Sequence, residues 1–187
     1  MGETGGEDLL NDHELMERVK QGDKEAYEVL VLRYRQAGIA FSKQIVKDEY
    51  LAEDVVQDCF ANIYIIRHRY NNRASFKTYL FTLIKNRSID YLRKQKETAK
   101  LCNLDELSYA ASSTEQVYIE KERLDTIYKY LNQMKGESGQ MLYLYAVEDL
   151  SYDEIARVMK QSKAQVKIKL YRARQKLKLL REMEGEV

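Results

Sequence analysis

Apolar residues recur at helical spacing along most of this chain, and no proline interrupts them. A proline inside a helix removes a hydrogen bond and clashes with the preceding turn, so its absence leaves long helices open to the sequence. Ala26, Tyr27, Leu30, Val31 and Tyr34 follow the helical period, as do Leu51, Val55 and Cys59. An all-α fold is expected. The 187 residues suffice for one medium domain or two small ones.

Charge is sorted along the chain. The total is +1, yet residues 1–58 carry a net −7, residues 59–100 a net +8, residues 101–154 a net −7 and residues 155–187 a net +7. A solubilising surface intersperses its signs. This alternation predicts two modules, each with a basic face for a polyanion. No apolar run reaches eighteen residues, so no membrane insertion is expected. The acidic start MGETGGEDLLNDHE has no apolar core and is not expected to act as a signal peptide. Cys59 and Cys102 lie far apart with no CxxC pairing, which predicts neither disulfide framework nor zinc site, and a reducing cytoplasm.

Local signals divide the chain. A short helix is expected from Asp12 to Gln21, ended by Gly22. Asp23 caps a second, KEAYEVLVLRYRQAGIAFSKQIV, with a weak point at Gly38. A third starts near Leu51, NNRAS reads as a loop, and Ser75 caps a fourth over FKTYLFTLIKNRSIDYLRKQKE. LSYAASSTEQ has linker composition. Helical periodicity returns in EKERLDTIYKYLNQM, breaks at KGESG, and resumes in GQMLYLYAVED.

The last segment, LSYDEIARVMKQSKAQVKIKLYRARQKL, has helix-turn-helix form. Ser151 and Glu154 make a capping box, Lys160-Gln161 is the turn, and Ser162 caps the second helix. Val166, Leu170, Ala173 and Leu177 form its inward face. Lys163, Lys167, Ile168, Lys169, Tyr171, Arg172 and Arg174 lie outward. In such motifs the second helix enters the DNA major groove, where Lys and Arg neutralise phosphate and bond guanine edges. A basic amphipathic helix alone also suits a membrane surface or calmodulin; the caps and tight turn favour DNA.

In the third helix Asp54 and Asp58 stand four apart, with Gln57 on the same face. Like charges at that spacing destabilise a helix by about 0.2–0.5 kcal/mol. Two carboxylates and a glutamine are too few for a metal. No His, Lys or metal cluster accompanies them, so no enzyme and no cofactor is expected.

LAEDVVQDCF, then SFKTYLFTLIKNRSIDYLRK, then the helix-turn-helix segment, in that order, closely resemble the extracytoplasmic-function sigma factors of bacterial RNA polymerase, from about Asp12 to Leu180. The resemblance implies two small helical domains joined by a flexible linker: residues 1–97 as region 2, 98–122 as linker, and 123–187 as region 4, a four-helix helix-turn-helix domain. It implies a non-enzymatic subunit that binds core polymerase through its β-prime and β subunits, recognises promoter DNA, is a monomer when free, and is held by an anti-sigma factor. Asp54, Gln57 and Asp58 would dock on the polymerase. The loop Tyr70, Asn71, Asn72, Arg73, Ala74, Ser75 would capture a flipped base of the minus-ten element. Lys85, Asn86, Arg87, Arg93 and Lys94 would hold the opened strand, with Tyr64, Tyr70 and Tyr79 as candidate stacking surfaces, though each is more readily a core or rim residue. Lys167, Ile168, Tyr171 and Arg172 would read the minus-thirty-five element, with Ser162, Lys163, Lys169 and Arg174 toward its backbone.

The sequence departs from the family pattern. Lys160 replaces the usual turn glycine, at a cost of about 1–2 kcal/mol if left-handed, so a different turn is expected. Gln165 replaces a threonine and Tyr79 a tryptophan, and the proline expected near Gln133-Met134 is missing. Ile168 can touch a thymine methyl but cannot bond a base edge. A dimeric helix-turn-helix regulator acting without polymerase is the alternative reading.

Overall fold

The computed structural model describes residues 10–101, 131, 134 and 136–183. Among these, regular structure is helical throughout: α1 (Asp12–Lys20), α2 (Lys24–Val46), α3 (Glu49–Ile65), α4 (Phe76–Leu101), α5 (Glu137–Ala146), α6 (Tyr152–Met159) and α7 (Lys163–Met183), with a 3₁₀ turn at Arg67–Arg69. The all-α expectation holds. Most of the expected linker, most of EKERLDTIYKYLNQM and Cys102 lie outside the described residues.

Six helices begin on a side-chain cap. Each cap accepts a hydrogen bond from a backbone N–H three residues on, one of the donors that a helix start leaves unpaired. Asn11, Asp23 and Asp48 serve α1, α2 and α3 at 3.0, 3.1 and 2.8 Å. Ser75, Ser151 and Ser162 serve α4, α6 and α7 at 3.2, 3.3 and 3.2 Å. The Asp23, Ser75, Ser151 and Ser162 caps are those legible in the sequence. Gln165 has a purpose: its Oε1 accepts from the Ser162 N–H at 2.9 Å, making a capping box like those at Asn11–Glu14 and Ser151–Glu154.

Gly38 corrects one expectation. It is no weak point, because α2 runs unbroken past it and buries it. A Cβ there would lie 2.9 Å from Ile84 Cδ1 of α4 and 3.4 Å from the Val56 methyls of α3. The missing side chain lets three helices close on one point. Gly38→Val should therefore lower stability by about 1–3 kcal/mol through overpacking, read as a shifted urea midpoint at unchanged slope.

Lys160 corrects another. It keeps the left-handed geometry usual for glycine, at φ 54° and ψ 47°. Its N–H and that of Gln161 return to Arg157 O and Ala156 O at 3.3 and 3.0 Å. The turn is unchanged, and the strain is carried within it.

The halves share a core. Phe41 of α2 meets Phe81 of α4 edge-on at 5.2 Å and stacks on Tyr143 of α5 at 6.0 Å. Helix α6 packs along α4. Ile155, Val158 and Met159 of α6, and Val166, Leu170 and Ala173 of α7, are buried as the helix-turn-helix pattern requires.

Candidate nucleic-acid interface and polymerase-docking face

Helix α7 turns one face to its own domain and one to solvent. Lys167, Ile168, Tyr171 and Arg172 are exposed, Ile168 at 53% and Tyr171 at 64%. The two lie one helical turn apart and form a small open apolar patch among the cations. Their flanking cations are tied down. Lys163 Nζ pairs with Asp153 at 2.7 Å, and Lys169 Nζ with Glu137 at 2.8 Å. The Arg174 guanidinium lies 4.2 Å from the Tyr145 ring centroid and donates to the Tyr152 hydroxyl at 3.3 Å. Burial alone would raise the Glu137 carboxyl, but hydrogen bonds from Lys169 and Gln161 outweigh it and hold the group below its usual range. Lys167, Ile168, Tyr171 and Arg172 thus face solvent, while Lys163, Lys169 and Arg174 each contact a side chain of their own domain.

The first half carries the other surfaces. Asp54 and Gln57 are exposed on α3. Asp58 is exposed too, but its carboxylate meets Arg87 of α4 at 2.8 Å. That pairing offsets the crowding of two carboxylates on one face, and it engages a cation expected to hold DNA. A cleft of about 290 Å³ lies between α3 and α4, lined by that ion pair together with Cys59, Asn62, Leu83, Asn86 and Asp90. Asn62 was not anticipated, although it continues the Asp54–Asp58 row by one turn.

In the loop, Asn71, Asn72 and Arg73 are exposed. Asn72 takes a left-handed φ of 55°, tolerable for asparagine. Its amide donates to Glu17 of α1 at 3.0 Å, a tie with no local sequence signal. Tyr70 is only 7% exposed. Its hydroxyl donates to Ala74 O at 2.9 Å, and its ring lies among Phe76 and Tyr79. Tyr70 shapes the loop from within and offers no free stacking face here. Tyr64 packs on Tyr27 and beneath Arg67. Along α4, Asn86 is half-buried, while Arg93 and Lys94 are exposed, Arg93 beside Asp90 at 3.2 Å. Lys85 differs most from expectation: it is 5% exposed, with Nζ donating to Met159 O of α6 at 3.3 Å. Burial lowers its pKa, with Glu137 opposing and Lys160 and Lys169 adding to the effect.

One half thus carries a basic helix with Lys167, Ile168, Tyr171 and Arg172 exposed, and the other an acidic face beside an amide-lined cleft. The chain matches Sigma-70 region 2 over residues 30–98 and Sigma-70 region 4 over residues 124–177. It is 32% identical over 142 residues to the ECF RNA polymerase sigma factor SigM of Bacillus subtilis, covering 75% of this chain and 85% of that protein. It is 28% identical over 174 residues to the RNA polymerase sigma-H factor of Pseudomonas aeruginosa, covering 88% and 90%. The chain belongs to the extracytoplasmic-function sigma factors of RNA polymerase. Such proteins direct transcription initiation and are not catalysts themselves.

Two solved structures share the fold. CnrH, solved with the cytosolic domain of CnrY, superposes with a TM-score of 0.64 at 24% identity, over 92% of this chain and 97% of that one. The sigma factor RpoE of Bartonella quintana, solved with the anti-sigma factor NepR, gives 0.66 at 22%, over 83% and 96%. Among the described residues no helix is long and apolar enough to cross a membrane.

Proposed function

We propose that residues 1–97 dock on the polymerase and open the minus-ten element, that residues 123–187 read the minus-thirty-five element, and that 98–122 link them. The observation that carries this is the separation on α7 of four exposed readers from cations already held by their own domain. Lys167 and Arg172 bond base edges and phosphates, Tyr171 stacks or packs, and Ile168 meets a thymine methyl. Asp54 and Gln57 present the docking face for the β-prime subunit, with Asp58 joining it. Asn71, Asn72 and Arg73, exposed on the loop, capture an unstacked base of the opened strand. Arg93 and Lys94 follow the backbone, with Lys85 and Arg87 joining once freed from Met159 and Asp58.

The protein works in the cytoplasm as a monomer until core polymerase takes it up. Two structural relatives were solved with partner proteins, one of them named an anti-sigma factor; a partner of that kind is proposed here as well.

Purified protein, core polymerase and promoter DNA selected from a genomic library test the reading. A promoter-directed transcript is expected from the mixture and from neither protein alone. Asp54→Arg should weaken core binding at least tenfold while leaving the melting temperature unchanged. A chain that binds palindromic DNA as a dimer and yields no transcript would establish the regulator reading instead.

A further inference from the structure

Asn71 and Asn72 stand side by side in the loop before α4, and each has one end of its amide already engaged. An asparagine amide carries an acceptor oxygen at one end and two N–H donors at the other. Asn72 Nδ2 donates to Glu17 Oε1 of α1 at 3.0 Å. Asn71 Oδ1 accepts from the backbone N–H of Arg73 at 3.3 Å. Neither partner leaves a choice. A carboxylate can only accept, so Asn72 must turn its nitrogen to Glu17. A backbone N–H can only donate, so Asn71 must turn its oxygen to Arg73. Both residues are exposed. Asn72 therefore has its oxygen left to offer, and Asn71 its nitrogen.

Glu17 is itself held. Its Oε1 also accepts from Lys20 Nζ at 2.7 Å, and His13 Nδ1 lies 3.9 Å from the same oxygen. Hydrogen bonds from Lys20 and Asn72 hold the carboxyl below its usual range, so it remains an acceptor at neutral pH. The Lys20 ammonium lies 5.6 Å from the Tyr70 ring centroid, so α1 meets the loop at Tyr70 as well as at Asn72. A cleft of about 690 Å³ opens between them, with Tyr70, Asn72, Ala74 and Ser75 from the loop and Asn11 and His13 from the start of α1. That volume falls among small-ligand sites, which span about 300–1,000 Å³.

We propose that Glu17 is a positioning residue for promoter specificity, a role that rests on the reading of this loop as the one that captures an opened base. By fixing the Asn72 amide it makes the loop an acceptor. The loop then prefers a base with an exocyclic amine, adenine or cytosine, to one with an exocyclic carbonyl, guanine or thymine.

An unstacked base is read on its exposed edge. At the exocyclic position adenine and cytosine present a donor, guanine and thymine an acceptor. The Asn72 oxygen set against that position gains a hydrogen bond from the first pair. Against the second pair two acceptors meet, and both are left without a donor, which is the costlier outcome. The Asn71 N–H then meets the ring nitrogen beside the amine, an acceptor in adenine and cytosine alike. An amide free to turn over would serve either kind of base. The discrimination therefore comes from Glu17 and not from Asn72 alone.

The test uses the holoenzyme, formed from the full chain and core polymerase, with a promoter it transcribes, randomised across the minus-ten element. Bound DNA is sequenced. Wild type should favour A or C over G or T at one position by roughly tenfold or more, the discrimination of one good pair of contacts. Asn72→Ala identifies that position by relaxing it. Glu17→Gln carries an amide that can donate or accept, so the preference there should fall to within about twofold of even, with other positions unchanged. Glu17→Lys puts a donor where the acceptor was. It should turn the Asn72 amide over, so that G or T is favoured at the same position.

Glu17→Lys combined with Asn72→Asp is the rescue. One carboxylate oxygen takes the introduced ammonium, the other faces the base, and aspartate tolerates the left-handed angle of this position. Preference for A or C should return. An unchanged melting temperature shows that each variant is folded, and Glu17→Gln carries the test if the lysine variant is not. A merely structural contact predicts weaker binding of every sequence, no change of base and no rescue. Base choice unaltered by both Glu17 variants, while Asn72→Ala relaxes it, overturns the role of Glu17 and leaves base capture by the loop standing. If no position responds to Asn72→Ala, base capture by this loop fails and takes the role of Glu17 with it. A wild-type preference for G or T at the Asn72-dependent position overturns the assigned polarity.

Discussion

Phe41→Ala should cost the protein about 3–5 kcal/mol, the usual range for emptying a fully buried phenylalanine site. Phe41 is 0% exposed and touches aromatic rings from both halves, so nothing nearby collapses easily into the space. The loss should appear in urea unfolding as a lower midpoint. It should also make the unfolding less cooperative, because Phe41 joins the α2–α4 packing to α5. Phe41→Leu is the control and should recover most of the loss. An alanine variant within about 1 kcal/mol of wild type would mean that the halves do not share this core in solution.

Arg172→Ala should change which DNA the holoenzyme selects. A good bidentate contact to a base edge discriminates by about 1–3 kcal/mol, or roughly tenfold to a hundredfold. The expected result is a selected pool of DNA sequences in which one minus-thirty-five position loses its preference and the others keep theirs. Lys163→Ala should behave differently. Lys163 is paired to Asp153 and expected on the backbone, so its loss should weaken all sequences alike and reduce the salt slope by about one. Matching effects from the two variants would show that α7 does not divide its face as described.

Much of this was readable from residues close together in the chain. Asp23, Ser75, Ser151 and Ser162 announce their helices because a cap and the donor it serves lie three residues apart. Val166, Leu170 and Ala173 announce the buried side of α7 because helical period maps directly onto a face. Asp54, Gln57 and Asp58 are exposed as expected for the same reason. What escaped reading depends on distant residues. Glu154 was legible as a cap, but its bonds to Ser75 and Thr78 cross 79 and 76 residues. Lys85 resembled its basic neighbours on α4 until α6 was laid over it. Gly38 looked like a flaw in α2 because the Ile84 and Val56 side chains that need its space come from other helices. Lys160 misled differently: a strained backbone angle leaves no mark in composition, and the hydrogen bonds of a helix end can hold a lysine where glycine is usual.

Cys59 sits on the inner side of α3, 4% exposed, above the cleft shared with α4. Burial, against the opposing pull of Arg87 and with a further push from Asp58, raises its thiol to about 12. Only the thiolate reacts at a useful rate, so at neutral pH this sulfur is chemically silent while the helices stay together. Its alkylation by iodoacetamide, in a chain carrying Cys102→Ser, therefore clocks how often α3 lifts from α4. The same burial shields this thiol from oxidants for as long as the two helices stay together.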